Sequence, residues 1–426
     1  MSTPAKRKLA IIANAPSPYR IAQHLRIADE LGDQVELWSL FLCEHNWQPW
    51  NFELPERIRP VIFGPGESVG KKHSLKHFWK DWKKGGEVVR WLQEHGVEAV
   101  ISTGYNSPAL VRLIAWCRRH GMPNYMFGDS NVHGDRVKGW RRWLKLRYVR
   151  WVVRSVSGLM PCGEYGRRYF EPYGGSAKPC FFMPHEPDYR RIFEVTDEAQ
   201  ARVKQKFQLS EGRRRIVYSG RLAPVKRVDT LIDAFVRIAA ERPEWDLLVV
   251  GGGPLETELK ARVPEELKNR VAWTGFIDDP HELATLYTCG EAFVLPSSYE
   301  PWAVVVCEAA AAGLAIASSR VVGAAGELCR DNVNGRLFTP GDVDGLAAAL
   351  LDMTENDDRL RHYRLASLRL LDDWRRRGDP VQGVRLALAE EGLLPSPPPV
   401  TPIPATPTTL RAQPLAAGAL PPGSIH

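Results

Sequence analysis

Short apolar runs that end in Gly, Pro or Ser recur along most of this chain, and helical periodicity fills many of the gaps between them. Such a rhythm predicts strands covered by helices, in parallel α/β layers. In the first half the runs are Leu9–Ala13, Val35–Leu42, Val97–Ser102, Asn124–Phe127, Gly158–Cys162 and Cys180–Met183. In the second half they are Arg215–Ser219, Asp246–Val250, Val271–Trp273, Ala292–Leu295 and Ala315–Ser318. Two series predict two similar sheets. The length of 426 residues agrees, because one domain usually holds about 100–200.

The break falls between Pro184 and Gly212, where His185-Glu-Pro-Asp188 leads into a polar helix that closes at Leu209-Ser-Glu-Gly212. A cleft is expected there. Open parallel sheets bind ligands beyond the carboxyl ends of their strands, so the loops after these runs are where chemistry belongs. Residues 355–392 read as helical, with Trp374 and Val384–Leu388 offering apolar contacts. The chain thus divides into domains over 1–190 and 191–372, a helix over 373–394 that returns to the first, and a tail over 395–426. The tail is rich in Pro, Thr, Ala and Ser, cannot offset chain entropy by burial, and is expected to be disordered.

Composition narrows the class of protein. A hydrophobic fraction of 44% and a charged fraction of 25% are those of an ordinary soluble globular chain. The net charge of +7 favours anionic partners without choosing among nucleic acid, acidic lipid and phosphorylated substrates. Cys43, Cys117, Cys162, Cys180, Cys289, Cys307 and Cys329 are odd in number and never spaced as CxxC, which argues against a disulfide framework or a zinc site and for a reducing compartment. Lys6-Arg7-Lys8 followed by Leu9–Ala15 mimics a secretory signal. A buried first strand entering the loop Pro16-Ser-Pro18-Tyr19-Arg20 explains the same residues better. No apolar stretch reaches the roughly 18 residues a bilayer span requires, so the expected location is the cytoplasm, with any membrane contact peripheral.

The most informative segment is Leu295-Pro-Ser-Ser-Tyr-Glu300-Pro-Trp-Ala-Val-Val-Val-Cys-Glu308-Ala-Ala-Ala-Ala-Gly313. A strand ends at Leu295, a loop carries Glu300, and a helix is expected from near Trp302 with Glu308 about two turns inside. A helix that begins just after a strand aims unpaired N–H groups and the positive end of its dipole at the strand's carboxyl edge, where phosphate is a natural guest. Glu308 lies on an otherwise apolar helix and needs donors, which ribose hydroxyls would supply. An Arg partner would serve equally.

A second segment runs from Ile216 through Ser219-Gly220-Arg221 and Lys226 to a helix with apolar Val228, Leu231, Ile232, Phe235 and Ile238. That spacing buries one face and leaves the strand's exit loop open. Arg221 and Lys226 flank the loop. Together they suit the negative charge that grows on a leaving diphosphate, although a solvated basic face would look the same. In Leu247-Leu-Val-Val-Gly251-Gly-Gly253-Pro254 a strand meets a Gly loop, which fits either a phosphate cradle or a simple turn.

With these residues in view, the chain resembles the retaining glycosyltransferases of family 4, which have the two-domain GT-B fold, an α/β architecture of two Rossmann-like domains facing across a cleft. The resemblance covers about 330 to 390 residues and is strongest from Ser219 to Gly345. It rests on Ser219-Gly-Arg221 with Lys226, Val250-Gly-Gly-Gly-Pro254, Thr274-Gly275-Phe-Ile277, Glu300 with Glu308, and Asn334-Gly335-Arg-Leu-Phe338. It implies a donor-binding second domain and an acceptor-binding first domain. Arg221 and Lys226 would hold the diphosphate of a UDP- or GDP-sugar, near Gly220, Gly251 and Gly253. Glu300 would bind hydroxyls of the transferred sugar and Glu308 the ribose. Backbone around Phe276 and Ile277 would meet the base, and N–H groups of Trp302, Ala303 and Val304 would line the sugar and phosphate pocket. Position 303 is usually Gly in the family, so Ala303 is a departure that bears on donor choice.

The first half matches less closely. Where many relatives carry a Gly-Gly loop after the first strand, this chain has Pro16-Ser-Pro18-Tyr19-Arg20, which looks like a subgroup associated with surface polysaccharide assembly. Tyr19, Arg20, Asp129 and His133 are candidates for the acceptor or sugar side, with a structural or solvated role the alternative for the His. The outcome implied is transfer with retention, by front-face displacement in which a donor phosphate oxygen takes the acceptor's proton. No Asp-x-Asp stands in a suitable loop, and the cations with the helix dipole can replace a metal, so neither metal nor cofactor is expected.

The acceptor is expected to be a glycan or a lipid-linked molecule. Residues 136–154 form a basic helix candidate with Trp140, Trp143, Leu144, Tyr148, Trp151 and Val152 near one face. It suits an anionic membrane surface or, alternatively, a core with a solvated basic rim. Lys71–Lys84 is a second basic stretch with Trp. A nucleotide-sugar epimerase of the same architecture and a non-catalytic binder of nucleic acid or nucleotide sugar are the competing functions. No nucleic-acid module is legible, so no nucleic-acid partner is expected.

Overall fold

The computed structural model describes residues 5–46, 53–70, 74–135 and 137–396. From residue 397 the expected tail lies outside the described residues, as do Arg136 and Lys71–His73 of the two basic stretches.

Among the described residues twelve strands form two six-stranded sheets. The first holds β1 (Arg7–Ala13), β2 (Val35–Phe41), β3 (Pro60–Ile62), β4 (Ala99–Thr103), β5 (Asn124–Gly128) and β6 (Gly158–Pro161), in the order β3-β2-β1-β4-β5-β6. The second holds β7 (Arg214–Ser219), β8 (Trp245–Val250), β9 (Val271–Trp273), β10 (Ala292–Leu295), β11 (Ala315–Ser319) and β12 (Gly335–Phe338), in the order β12-β11-β10-β7-β8-β9. Every pairing is parallel. Central strands such as β10 and β11 are buried at every position, as a sheet covered on both faces requires.

In each sheet the strand order reverses at one point, between β1 and β4 in the first and between β7 and β10 in the second. Loops leaving neighbouring strands there diverge to opposite faces and open a crevice. The loops after β1, β4, β7 and β10 are therefore the natural walls of a site.

The expected strand Cys180–Met183 is not one. Phe181 and Met183 donate to the carbonyls of Leu159 and Pro161, but the segment has only a single bridge, at Cys180. Between the sheets the chain makes two helices, Arg190–Phe193 and Asp197–Lys206. The helix Val228–Ile238 buries Val228, Leu231, Ile232, Phe235 and Ile238, as its spacing requires. Residues 357–377 form one unbroken helix through the expected division at 372/373, and a second helix runs Pro380–Glu390.

This last pair ties the lobes. The Asp357–Arg377 helix packs against β11 and the Val304–Ala311 helix of the second lobe. Trp374 near its end is fully buried, with ring centroids 5.5 Å from both Phe182 and Trp302. The Pro380–Glu390 helix packs on the Pro18–Glu30 helix of the first lobe. Tyr125 on β5 donates its hydroxyl to the Ala387 carbonyl at 2.8 Å. Arg26 binds Glu186 at 2.5 Å and Asp379 at 2.7 Å, joining the first lobe to the crossing segment and to the cap of the final helix.

Candidate active site

At the crevice of the second sheet, the loop after β7 carries Lys226 and the loop after β10 carries Glu300. The Lys226 ammonium donates to the Glu300 carboxylate, in a largely buried ion pair. Ser297 Oγ donates to the same carboxylate oxygen at 3.1 Å. Tyr218 of β7 adds a hydroxyl close enough to feel the Glu300 charge; burial first and that charge second hold it protonated. Lys226 is therefore no part of a solvated basic face. Arg221 lies exposed on the same exit loop, its carbonyl accepting from the Tyr218 hydroxyl at 3.1 Å.

The helix expected from near Trp302 begins at Val304 and ends at Ala311, so Glu308 stands one turn inside it rather than two. A first turn has no partner within its own helix for its N–H groups, and those of Ala303 and Val304 open this one. Ala303 is the N-cap, with φ 82° and ψ 83°. That left-handed backbone is one an L side chain rarely adopts. Trp302 turns its indole away, toward the other lobe, and donates to the His185 carbonyl at 2.9 Å.

Among the described residues Glu308 has no Arg partner; it accepts from the Tyr287 hydroxyl at 2.7 Å. Burial pushes its carboxyl up to about 7 against the pull of that bond. Tyr19, at the start of the Pro18–Glu30 helix, lies close enough to feel the same carboxyl from the first lobe; its hydroxyl is raised by burial and then by the Glu308 charge. Tyr19 thus stands at the residue expected to hold ribose.

The Gly loop after β8 owes its composition to backbone packing. A Cβ on Gly251, whose φ is 126°, would sit 2.1 Å from the Gly220 carbonyl, and one on Gly253 would sit 2.4 Å from that of Leu222. Only glycines let the loops after β7 and β8 lie so close. Phe276 borders this loop, 67% exposed, with its backbone nitrogen facing Gly252; half-buried Ile277 follows it.

The facing wall comes from the first lobe. Arg20 donates to the Ala15 carbonyl at 2.5 Å and lies close to Asp129. Burial raises the Asp129 carboxyl and the Arg20 guanidinium pulls it back. Burial, and then the Arg20 charge, push both His24 and His185 down to about 3, so this floor carries neutral imidazoles. His133 is exposed in a short turn, its ring edge-on to Tyr165 at 4.9 Å and its basicity lowered by burial and by Arg168.

Between Asp129 and His133 stands a residue that the sequence did not single out. Asn131 is 1% exposed. Its amide donates across the cleft to the carbonyls of Glu300 at 2.7 Å and Val321 at 2.9 Å, while its own carbonyl takes the His133 N–H at 2.8 Å. Tyr218 and Tyr287 were likewise hidden, because each reads as an ordinary apolar position. Among the described residues no group of three His, Cys, Asp or Glu is placed to hold a metal ion, the seven cysteines are free, and no helix is long and apolar enough to cross a membrane.

Comparison with known proteins finds likeness in the second lobe and in the fold. Residues 199–367 match the model of the glycosyl transferases group 1. The chain is 36% identical over 152 residues to mannosylfructose-phosphate synthase of Agrobacterium fabrum, a match covering 34% of this chain and 33% of that one. It is 26% identical over 341 residues, 74% of this chain and 84% of the relative, to a GDP-mannose-dependent monoacylated alpha-(1-6)-phosphatidylinositol monomannoside mannosyltransferase of Corynebacterium glutamicum. Among solved structures, HepE of Anabaena in complex with UDP superposes with a TM-score of 0.68 at 18% identity, covering 92% of this chain and 100% of that one. Sucrose-phosphate synthase of Thermosynechococcus elongatus superposes with a TM-score of 0.69 at 18% identity, covering 91% and 99%. The fold is GT-B.

Proposed function

Starting from a group 1 glycosyl transferase domain at residues 199–367, we propose that this chain is a retaining glycosyltransferase of family 4, in the subgroup with the Pro16-Ser-Pro18-Tyr19-Arg20 loop. It moves a hexosyl unit from a UDP- or GDP-sugar to a glycan or lipid-linked acceptor, in surface polysaccharide assembly on the cytoplasmic side of a membrane. The observation that carries the reading is the Lys226–Glu300 pair at the crevice between β7 and β10. The pair holds an ammonium in the crevice; with donor bound it would turn from Glu300 to the departing diphosphate and leave the carboxylate to the sugar.

In this reading Lys226 and Arg221 take the charge that grows on the leaving diphosphate, helped by the N–H groups of Ala303 and Val304. Glu300 holds the transferred sugar, Glu308 the ribose, and Phe276 with Ile277 the base. The acceptor's proton passes to a donor phosphate oxygen as the new bond forms on the face the leaving group vacates. Asp129, His133, Tyr19 and Arg20 line the opposite side, and no metal takes part. Mannosyl transfer from GDP-mannose by the C. glutamicum relative and UDP in the HepE structure support both bases as candidates.

The membrane side of the proposal rests on surface. The helix Trp140–Ser155 buries Val149, Val152 and Val153, so the expected single face that included Val152 is split. Trp140 is 70% and Trp143 59% exposed, beside exposed Leu144 and Tyr148 and exposed Arg141, Arg142 and Arg147. The helix Leu75–Glu94 likewise exposes Leu75, Phe78 and Trp79 beside Lys76 and Lys80. Aromatic rings at an interface with cations toward lipid phosphates fit an anionic membrane. Failure to sediment with anionic vesicles at low salt would remove this part.

A thermal-shift screen against UDP-, GDP- and ADP-sugars tests the whole. Stabilisation by one donor, followed by mass-spectrometric detection of transfer to lipid-linked acceptors, is the expected result. Release of a sugar isomer with no second substrate would indicate an epimerase instead.

A further inference from the structure

The two lobes meet in a seam along the back of the loop that carries Glu300. The first lobe contributes the loop after β5, with its short turn Val132–Gly134, and the loop after β6, with the helix Glu164–Phe170 that follows it. The second lobe contributes residues 299–302, after β10, and 321–327, after β11. Three contacts set an aromatic ring of one lobe on a glycine of the other. A Cβ on Gly134 would strike the Tyr299 ring, one on Gly163 would sit 2.8 Å from the ring of Trp302, and one on Gly326 would sit 3.0 Å from that of Tyr165. Each ring thus lies against bare backbone, which only glycine offers.

Hydrogen bonds close the same seam. Asn131 donates to the carbonyls of Glu300 and Val321. The Glu327 carboxylate, 6% exposed, accepts the Glu164 N–H at 2.8 Å, and Arg377 at the end of the Asp357–Arg377 helix stands 3.6 Å from it. The space left among Ser130, Gly163, Tyr165, Pro301, Trp302 and Gly323 has no room for a water molecule. Domains of one chain ordinarily meet through more polar surfaces that let them move; this seam is dry and packed with rings. Its place gives the reason. Glu300 turns its carboxylate to Lys226 in the crevice and its carbonyl to Asn131 in the seam, so a single loop separates the two.

We infer that the seam is a water barrier that guards the bound donor against hydrolysis, an assignment that rests on the glycosyltransferase reading. In that side reaction a water oxygen bonds to the anomeric carbon of the donor sugar. The bond from that carbon to the diphosphate oxygen breaks, its electron pair leaves with the nucleoside diphosphate, and a proton of the water passes to phosphate or solvent. Groups that stabilise the leaving diphosphate for transfer stabilise it equally for hydrolysis, so charge cannot favour an acceptor over water. Exclusion of water can. Tyr299 is the ring best placed to show it: it is half-buried, it lies over the Gly134 backbone, and it has no part in the proposed donor contacts.

The test is hydrolysis of UDP-glucose and GDP-mannose by the full chain without acceptor, read as release of free sugar, alongside calorimetric Kd values for UDP and GDP. Tyr299→Ala removes the ring, Gly134→Val pushes it off the seam from the facing lobe, and Tyr299→Phe keeps it. Hydrolysis of at least one donor at saturation should rise about fivefold or more in Tyr299→Ala and Gly134→Val, and stay within about twofold in Tyr299→Phe. Nucleotide Kd should change less than about twofold in all three. A residue that merely holds the loop in place would, when removed, lower hydrolysis and nucleotide affinity together, the opposite direction. Unchanged or lower hydrolysis in both seam-opening variants, or an equal rise in Tyr299→Phe, would overturn the inference. Lack of affinity of the unaltered chain for UDP and GDP would count against the donor site instead, and is read before any variant.

Discussion

The side-chain amide of Asn131 lies 2.7 Å from the backbone carbonyl of Glu300, so a first-lobe residue fixes the loop that carries Glu300 in the second lobe. With the Val321 carbonyl and the His133 N–H also satisfied, every polar group of this buried side chain is used. In the proposed site Asn131 is a positioning residue.

Asn131→Ala should lower the transfer rate about 10- to 100-fold, because each buried carbonyl left without its donor costs about 1–3 kcal/mol. Nucleotide affinity should change less than about twofold, since the donor groups all belong to the second lobe. Asn131→Asp, which sets a carboxylate against two carbonyls, should be worse. Paired measurements of kcat and nucleotide Kd check this; equal loss in both would show general unfolding of the site.

Ala303 holds φ 82° at the N-cap of the Val304–Ala311 helix. Ala303→Gly should raise stability by about 1 kcal/mol, because glycine adopts this backbone without a Cβ clash. Removing the methyl should also widen the range of donor sugars accepted. Unfolding midpoints and a donor panel read the two effects.

Glu308, pushed up to about 7, should make donor affinity depend on pH. The ionised carboxylate can accept from both ribose hydroxyls, whereas the acid must use one oxygen as a donor. Affinity for a nucleotide sugar, whose diphosphate does not titrate in this range, should therefore rise between pH 6 and 8, by up to about tenfold per unit below the midpoint. Tyr287 and Tyr19 face the same carboxyl, and both stay protonated there because burial raises their hydroxyls. Calorimetric titrations across this range should lose the slope in Glu308→Gln.

The two sheets, and the segments carrying Lys226, Glu300 and Glu308, were legible because strand runs and helix starts are local patterns. β3 escaped because three residues opening on Pro60 carry no periodicity. β12 escaped because Asn334-Gly335 reads as a turn. Cys180–Met183 has the composition of a strand and does bond to β6 through Phe181 and Met183, but it makes only one bridge, a count that sequence alone does not supply. Asn131 stood in plain view beside Asp129 and His133. Its role depends on a partner 169 residues away, a distance at which no spacing rule operates.

Transfer should survive complete chelation of divalent cations. In the proposed site the charge of the diphosphate is met by Lys226, Arg221 and the helix start, so added EDTA should leave the rate within about twofold. Loss of activity restored by magnesium or manganese would assign that charge to a metal.

The most direct measurement is the affinity of Lys226→Ala for a nucleoside diphosphate and its monophosphate, by calorimetry at one salt concentration. Removing a charge-assisted contact to the diphosphate should weaken UDP or GDP binding about 10- to 100-fold and leave UMP or GMP within about twofold. A variant that binds the diphosphate as tightly as the unaltered chain would contradict the assignment of this crevice to the donor.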